Sequence, residues 1–457
     1  MYRFSNNSPA EQQMSVVKTR NIRSAYCLNS ILNSLLLIAV YLFCPLANSE
    51  PLPSPLTLSQ ALSFADTGQP ELALADANVA GAMARRYQVD ADNSIEAYLE
   101  LAPYMAVPSP EYNEDFTNDS YARLAVSKKL YDFGYSDSLQ DSADAAIQSQ
   151  ELIASEIRNQ HYLKIMRLFF NVIIADMHFA ATNEKMTTLY LRYDKLRDAH
   201  SLGRVSDEAL LRAESTYRDA ANLRTQSEKQ QYSSRQQLAI ALNRPDDLPG
   251  ELIKPELPQL DKAVPELTVL LDQAFANNLA LASRLHEVQS ATAALDAAKQ
   301  QYGPTLSAGM ELNHYERRLP GRSSASVGLT LNIPLLDGYR TQAETARLSA
   351  ALSVAQARYE NAKQQIRQQL VDLINRLEIL SFKRNTDQIR LDSRALTLEK
   401  NRAAYELEMQ TTLGTSMAQY TEAEWLSVKN DFEIALTWAQ IDMITGKKLY
   451  QDKENKL

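Results

Sequence analysis

Four segments of the chain alternate between apolar and polar side chains. In the segments Thr305–Tyr315 and 324–333, every second position is apolar and the positions between are polar or small. Segments 95–101 and 122–129 follow the same rule. A period of two, sustained for about ten residues, predicts β-strands with one apolar face, long enough to cross a membrane when tilted. A half-buried sheet in a soluble protein would produce the same alternation.

Each pair of predicted strands is followed by a very long segment without helix breakers. Neither glycine nor proline occurs between Gly134 and Gly203, or between Gly338 and Gly414. Apolar residues, most often alanine, recur there at spacings of three and four. The pattern predicts two helices that could each reach roughly 100 Å at about 1.5 Å per residue. The small residues at the seam favour a layer of closely packed helices, although a generic coiled coil fits the pattern too.

The chain contains two copies of this unit. An offset of 205 residues places Leu130 on Leu335 and Asp132 on Asp337. The same offset matches further pairs along the helical segments: Arg197 with Arg402, Ala199 with Ala404, Leu202 with Leu407, Ser206 with Thr411, and Ala213 with Ala418. Upstream, Gln60-Ala61 aligns with Gln273-Ala274 at an offset of 213. We therefore expect a tandem duplication of a β-hairpin followed by a long helix that folds back.

The duplication predicts where the domains begin and end. The first repeat covers residues 50–242, with a hairpin at about 94–130 and a helical tip near 203. A connector or equatorial region at 243–266 contains five prolines, at positions 245, 249, 255, 258 and 265. The second repeat covers 267–448, with a hairpin at about 304–333 and a tip near 414, and a tail occupies 449–457.

The N-terminal segment has the composition of a secretory signal peptide. Four cations precede an apolar run at 31–43, and Ala47-Asn48-Ser49 follows with the small-x-small form of a cleavage site. We expect cleavage after Ser49, whether translation starts at Met1 or at Met14.

Removal of this segment would change the properties of the mature chain. Both cysteines, Cys27 and Cys44, would be lost, so we expect no disulfide. Phe43 and Pro45 flank Cys44, and a lipid anchor there is not expected. The formal net charge would change from −9 to −12, with loss of four cations and one anion, a poor match for nucleic acid. No second apolar run approaches the ~20 residues of a membrane helix, so a mature chain that spans a membrane must do so as strands.

The chain has no signature of a catalytic or metal site. Its five histidines lack metal-ligand spacing, and neither a glycine-rich phosphate loop nor a nucleophile elbow occurs. We expect no enzyme, no metal and no cofactor. Exported proteins with long helical hairpins also include periplasmic structural and adaptor proteins, which are the alternative function. Such a protein would carry one hairpin of helices and no strands of membrane length.

Four strands per chain are too few to close a membrane barrel, because the smallest ones need about eight. The strands must therefore come from several chains. Three protomers would supply twelve strands and leave no exposed sheet edge.

These features together resemble the TolC-like outer-membrane efflux protein family, over essentially the whole mature chain. The sequences that carry the resemblance are Leu56-Thr57-Leu58 with Gln60-Ala61, Leu130-Tyr131-Asp132-Phe133-Gly134, Pro334-Leu335-Leu336-Asp337-Gly338, and Gly203-Arg204-Val205-Ser206. The tandem duplication is the most specific of the shared features.

The resemblance implies a fold class that is mainly α with membrane β-strands. Each chain would be a tandem-duplicated protomer of a homotrimer, in which a 12-stranded β-barrel in the outer membrane is continuous with a 12-helix α-barrel in the periplasm. The implied function is the outer-membrane exit duct of a tripartite export system. Its partners would be outer-membrane lipid, a periplasmic adaptor protein and an inner-membrane pump. The pump would be either a proton-driven efflux transporter or an ATP-driven ABC transporter, for small-molecule efflux or type I protein secretion.

The resemblance also implies a gate at the helical tips, where the family motif is Gly-x-x-Thr-x-x-Asp. The first copy has Gly203 and Ser206, and Ala209 stands at the aspartate position, beside Asp207 and Glu208. In the second copy Glu408 replaces the glycine, while Thr411, Gly414 and Met417 follow at the next motif positions. Tyr405 matches a family tyrosine, and Gln410 stands where its arginine partner would be. We therefore expect a gate that is held without the family's aspartates.

Two further sites follow from the paired hairpins. The junction between strands and helices is assigned to six residues: Asp132, Gly134, Pro304, Pro334, Asp337 and Gly338. The hairpin loops carry opposite charge, since the first contains Glu111, Glu114, Asp115 and Asp119 and the second contains Arg317, Arg318 and Arg322. Pairing between the two loops is a hypothesis, and ordinary solvation of loop charges is its alternative.

Overall fold

A computed structural model describes residues 51–65, 68–107, 116–317, 320–407, 409, 412–447 and 449. The predicted signal peptide lies outside the described residues. So do Glu408, Gln410 and Thr411 of the second tip and Glu111, Glu114, Asp115 and Arg318 of the hairpin loops. The described residues from position 53 onward form one compact unit, to which the following description applies.

Eight α-helices are described in this unit. They are α1 (Leu58–Ser63), α2 (Pro70–Ala91), α3 (Tyr135–Ser201), α4 (Asp207–Ala241), α5 (Leu267–Asn277), α6 (Leu279–Gln300), α7 (Arg340–Glu406) and α8 (Leu413–Ile444). A 3₁₀ turn at Pro258–Asp261 lies in the proline-rich connector. The fold is therefore mainly helical, as the long segments without glycine and proline predict.

The strands form one four-stranded antiparallel sheet and one short ribbon. The strands are β1 (Ile95–Ala102), β2 (Met105–Ala106), β3 (Thr117–Asn118), β4 (Tyr121–Tyr131), β5 (Thr305–Tyr315) and β6 (Ala325–Asn332). The larger sheet has the order β1-β4-β5-β6, so the two hairpins of the duplicated unit lie side by side. The ribbon pairs β2 with β3.

The register places the apolar side chains of all four strands on one face. Leu99 pairs with Leu124, which pairs with Leu312, and the adjacent row joins Ala97, Val126, Met310 and Val327. These side chains are not covered within the protomer, since Leu99 is 63% exposed and Val327 is 83% exposed. Glu100, Arg123 and Asn313 lie in register on the opposite, polar face.

The long helices of the two copies have the same length, and so do the helices that precede their hairpins. The long helices α3 and α7 have 67 residues each, and they begin and end at positions related by the offset of 205. The helices that precede the hairpins, α2 and α6, have 22 residues each. The tandem duplication read from the sequence is therefore present in the structure.

Each long helix packs against shorter helices placed end to end. Near the strands, α3 contacts α2 through Arg86–Asp144 and α6 through Ser149–Ser283. Farther along, α3 contacts α4 and α8, while α7 contacts α6 and α8. The two short helices of each copy, α2 with α4 and α6 with α8, thus follow one another alongside a single long helix.

A side-chain amide joins the short helices at both places where they meet. The Gln69 amide donates to the carbonyl of Ala241 at 2.5 Å, and the Asn278 amide donates to the carbonyl of Ile444 at 2.9 Å. Both amides are buried and precede the first residue of α2 or α6. They satisfy carbonyls at the ends of α4 and α8 that have no partner within their own helix.

The described apolar core includes a buried cluster formed by α5, α6, α7 and α8 around Leu370 and Ile441, and a second contact where α3 packs against α8. Phe170 of α3 stacks on Phe432 of α8 with ring centroids 4.3 Å apart. By length and composition, α3 is also the one described helix apolar enough to cross a membrane. This finding contradicts our expectation that no segment after the signal peptide would be apolar enough for a membrane helix. Its most apolar side chains, including Phe169, Val172 and Ile173, are nevertheless buried in this core.

Candidate gate and strand-to-helix junctions

The first helical tip is a tight turn fixed by backbone geometry. Gly203 follows α3 with φ of +68°, and its N–H donates to the carbonyl of His200 at 2.8 Å. Ser206 caps α4, because its hydroxyl accepts from the N–H of Ala209 at 3.3 Å. Left-handed glycine ends one helix and a serine cap begins the next, as both residue types favour.

The acidic residues of this tip begin α4 and are exposed to solvent. His200 Nε2 lies 2.6 Å from Asp207 Oδ1, and this pair spans the turn from α3 to α4. Glu208 accepts from Arg212 at 2.5 Å, one helical turn later. The sequence indicated the two acidic residues but not the histidine partner, which lies seven positions before Asp207 on the other helix.

At the second tip the described residues differ from this arrangement. The helix α7 ends at Glu406, and Tyr405 is 63% exposed. Gly414 is the second residue of α8 and so lies within the helix, whereas Gly203 lies in the turn itself. Met417, one turn later, is also exposed. The Tyr405 side chain has no hydrogen-bond partner among the described residues, and its expected partner position, Gln410, lies outside them.

Gly414 permits a close approach between α8 and α3. A Cβ atom built on Gly414 would lie 3.1 Å from Thr188 Oγ1 and 3.6 Å from Thr188 Cγ2. Nearby, the Thr421 hydroxyl donates to Glu184 at 2.7 Å. Asn401 of α7 donates to Ser416 at 2.5 Å. The start of α8 is therefore held between the two long helices, and the glycine sets its distance from α3.

A histidine and a tryptophan stack between α3 and α8 farther from the tip. The rings of His178 and Trp425 lie 4.3 Å apart at an angle of 24°. Burial lowers the pKa of His178, and the positive charge of Lys429 lowers it further against the opposing effect of Glu422. Both effects favour the neutral form of the imidazole at this helix contact.

The two strand-to-helix junctions are capped by equivalent aspartates. Asp132 accepts from the N–H of Ser136 at 3.2 Å, and Asp337 accepts from the N–H of Thr341 at 3.0 Å. The hydroxyl of Ser136 and the ammonium of Lys129 also donate to Asp132. Both carboxylates lie beside the unpaired N–H groups at the start of a long helix, where the helix dipole favours negative charge.

Each junction requires two consecutive left-handed residues. In the first copy these are Phe133 (φ +57°) and Gly134 (φ +96°), and in the second Gly338 (φ +61°) and Tyr339 (φ +67°). Glycine therefore occupies the second position in one copy and the first in the other. An aromatic residue takes the remaining strained position in each, which nothing in the sequence indicated.

The prolines of the second hairpin lie directly outside its strands. Pro304 precedes β5 and Pro334 follows β6 by two residues. Among the described residues no cluster of His, Cys, Asp and Glu could hold a metal ion.

Comparisons with known proteins agree with this architecture. Residues 270–414 match the model of the family described as outer membrane efflux protein. No curated protein matches the sequence.

Several solved structures share the fold at low sequence identity. One is a membrane protein from Pseudomonas aeruginosa, with 17% identity, a TM-score of 0.70, and coverage of 87% of this chain and 91% of that one. The CmeC outer membrane channel of Campylobacter jejuni has 14% identity and a TM-score of 0.70, with coverage of 86% and 87%. The open state of the MtrE outer membrane channel of Neisseria gonorrhoeae has 16% identity and a TM-score of 0.68, with coverage of 86% and 90%.

The comparisons also bear on location. The matched family is described as outer membrane efflux protein and the CmeC structure as an outer membrane channel, which agrees with the expected outer-membrane location. The resemblance predicted from the sequence is likewise confirmed: residues 270–414 match the outer membrane efflux protein family, and the chain has the fold of TolC-like outer-membrane channels.

Proposed function

We propose that this protein is the outer-membrane exit duct of a tripartite export system. It would act as a homotrimer and receive substrates from an inner-membrane pump through a periplasmic adaptor. The family match supports the efflux channel, and the four-stranded sheet with an uncovered apolar face is the observation that carries the proposal.

The sheet has the properties of one third of a membrane barrel. One face consists of apolar side chains that nothing in the described protomer covers, while the other carries Glu100, Arg123 and Glu311. Alternation of lipid-facing apolar and lumen-facing polar residues is typical of membrane β-barrels. We therefore assign the apolar face to lipid and the polar face to the lumen.

The edges of the sheet and of the helical layer support assembly with further copies. β1 and β6 each pair on one side only in the described sheet. On α7, at one edge of the helical layer, an exposed apolar stripe runs along the helix: Ile379, Phe382, Ile389 and Leu396. Three copies would pair β6 of one protomer with β1 of the next and cover the stripe on each α7 within a barrel of twelve helices.

The helical tips are the proposed gate. The Asp207–His200 pair and the turn at Gly203 form one tip, and the Gly414–Thr188 contact holds the other. Opening would move α8 away from α3, because the approach of Gly414 to Thr188 and the hydrogen bond from Thr421 to Glu184 join the start of α8 to the first repeat. No residue carries out chemistry in this mechanism, which consists of gating and passage.

The assignment of the two faces is tested by thiol labelling. Val327→Cys and Ser326→Cys place a single cysteine on adjacent residues of opposite faces, since no other cysteine occurs after residue 44. In intact outer membranes we expect a water-soluble maleimide to label Ser326→Cys and not Val327→Cys. Equal labelling of both would overturn the barrel assignment.

The cellular location separates the duct from its alternative. We expect the mature protein in the outer-membrane fraction, extractable only with detergent. Recovery in a soluble periplasmic extract would favour a periplasmic coiled-coil structural or adaptor protein instead.

A further inference from the structure

The loops at the end of the sheet farthest from the helices hold a second cluster of interacting side chains. The long helices leave the sheet after β4 and after β6, so the loops that connect β1 to β4 and β5 to β6 lie at the opposite end. In the proposed orientation this end is the outer opening of the channel.

A bidentate ion pair joins these two loops. Arg322 Nη1 donates to Asp119 Oδ1 at 2.7 Å, and Nη2 donates to Oδ2 at 3.0 Å. The side chains are only 9% exposed for Asp119 and 27% exposed for Arg322. Bidentate arginine–carboxylate pairs withdrawn from solvent are among the stronger charged interactions in proteins. The hypothesis of pairing between the hairpin loops thus holds for this pair.

Aromatic side chains fix the pair in position. The hydroxyl of Tyr104 donates to Asp119 at 3.2 Å, and the Arg322 guanidinium lies 4.7 Å from the centre of the Tyr315 ring. Arg322 also donates to the carbonyl of Arg317 at 3.4 Å. We name four residues the mouth clasp: Tyr104 between β1 and β2, Asp119 between β3 and β4, Tyr315 at the end of β5, and Arg322 between β5 and β6.

The mouth clasp lies over the polar face of the four-stranded sheet. Tyr121 and Tyr315 are directly paired across β4 and β5, so their side chains share a face, and their rings lie 5.9 Å apart. Tyr121 shares the face of Arg123 because alternate residues of a strand point the same way. Arg322 lies over the Tyr315 ring and therefore holds the described residues 320–324, between β5 and β6, toward the polar face.

We propose that the mouth clasp holds residues 320–324, between β5 and β6, over the lumen side and narrows the outer opening, which gives the channel a constriction separate from the helical tips. The inference rests on the proposed function, since the polar face lines a lumen only in a closed barrel. Three copies would surround the opening. Hydrogen bonds from Arg322 hold the pKa of Asp119 below its usual value, so the pair stays charged at neutral pH.

Single-channel conductance in planar bilayers tests the inference. The purified trimer is compared with Asp119→Asn and Arg322→Ser, and with Glu316→Gln as a control that changes a neighbouring loop charge outside the clasp. We expect both clasp variants to conduct more than the wild type and the control to conduct the same. Arg322→Lys keeps the charge but loses the bidentate geometry, so its conductance should lie between wild type and Arg322→Ser.

The outcomes distinguish the two proposals. Wild-type channels whose conductance is unchanged in Asp119→Asn and Arg322→Ser would overturn the mouth clasp alone. A wild-type protein that forms no channel would overturn the proposed function and the clasp with it. If Arg322→Ser fails to assemble, Asp119→Asn and Arg322→Lys decide, since both keep the size of the side chain they replace.

Discussion

Asp132 and Asp337 lie 205 residues apart and cap their long helices in the same way, each accepting a hydrogen bond from the backbone N–H four residues later. The equivalence extends the duplication from the lengths of the helices to individual hydrogen bonds. It also explains why an aspartate stands at both strand exits. The strand ends there, and the first N–H groups of the following helix need an acceptor.

The two caps are expected to differ in strength. Asp132→Ala removes the bond to the Ser136 N–H together with contacts to the Ser136 hydroxyl and Lys129, and it should lower the stability by about 1 kcal/mol or more. Asp337→Ala removes bonds to the N–H groups of Thr341 and Tyr339 at a more exposed site, so a smaller loss of melting temperature is expected. Thermal unfolding of the detergent-solubilised protein measures both.

The stabilisation by Asp132 should depend on pH in one direction. Burial raises the pKa of Asp132, but the hydrogen bonds from Ser136 and the charge of Lys129 outweigh it and lower the pKa overall. A carboxyl group whose pKa is lower in the folded protein stabilises the fold at pH values above its unfolded pKa of about 3.9. It loses this effect as the pH falls through its pKa in the folded protein. The difference in melting temperature between wild type and Asp132→Ala should be constant from neutral pH to about pH 5 and shrink only below that. A difference that already shrinks between pH 7 and 6 would contradict this account.

The left-handed glycines of the junctions provide a second comparison between copies. Gly134→Ala and Gly338→Ala both place a Cβ at positive φ, which costs roughly 1–2 kcal/mol. A Cβ on Gly134 would also lie 2.7 Å from Gln300 Oε1, whereas the space around Gly338 is open. Gly134→Ala should therefore destabilise more, and the additional Gln300→Ala substitution should remove the excess. Equal effects in thermal unfolding would mean that the side chain of Gln300 moves away without cost.

Gly414 should control how closely the second tip is held. In Gly414→Ala the new methyl group presses on Thr188, so α8 must shift away from α3 by a few tenths of an ångström or Thr188 must rotate. We expect channels that open more often in planar bilayers, and restoration of the closed state by the additional Thr188→Ala substitution. Gly81→Ala in α2 is the matched control, because Gly81 is also a helical glycine, lies outside the tips, and a Cβ there meets nothing within 4 Å. A Gly414→Ala channel that opens no more often than the Gly81→Ala channel would argue against the gate at this contact.

The fluorescence of Trp425 should report the protonation of His178 at the contact between α3 and α8. The chain has two tryptophans, so Trp438→Phe leaves Trp425, which stacks on His178, as the single reporter. Because the pKa of His178 is lowered, the fluorescence of Trp425 should change with a midpoint below the ordinary imidazole value of about 6.5. The same lowered pKa predicts that acid weakens this contact, since protonation is less favourable in the folded state. His178→Gln should abolish the transition, and a midpoint above 6.5 would contradict the lowered pKa of His178.

Much of the fold follows from local patterns in the sequence. The strand Thr305–Tyr315 has the bounds that its alternation predicts, and the long helices fill the segments without glycine and proline. The second long helix is an exception, because it does not fill its whole segment. It ends at Glu406, although neither glycine nor proline occurs between Glu406 and Gly414. The chain leaves the helix there without a breaker, which a rule based on glycine and proline cannot detect.

The side-chain contacts of the candidate sites were less accessible from the sequence. Asp207 was identified beside the expected motif position, but its partner His200 depends on the geometry of the turn. Opposite loop charges suggested pairing, yet only the register of β4 and β5 brings Asp119 to Arg322. Such contacts join residues that are distant in the chain, and composition carries no information on them.

The central claim is that three copies of this chain close one membrane barrel. Native mass spectrometry of the protein extracted from outer membranes in detergent tests it most directly. The account predicts a particle with three times the mass of one mature chain, which persists until the detergent is removed or the protein is unfolded. A particle with the mass of a single chain, or with a number of chains other than three, would contradict it.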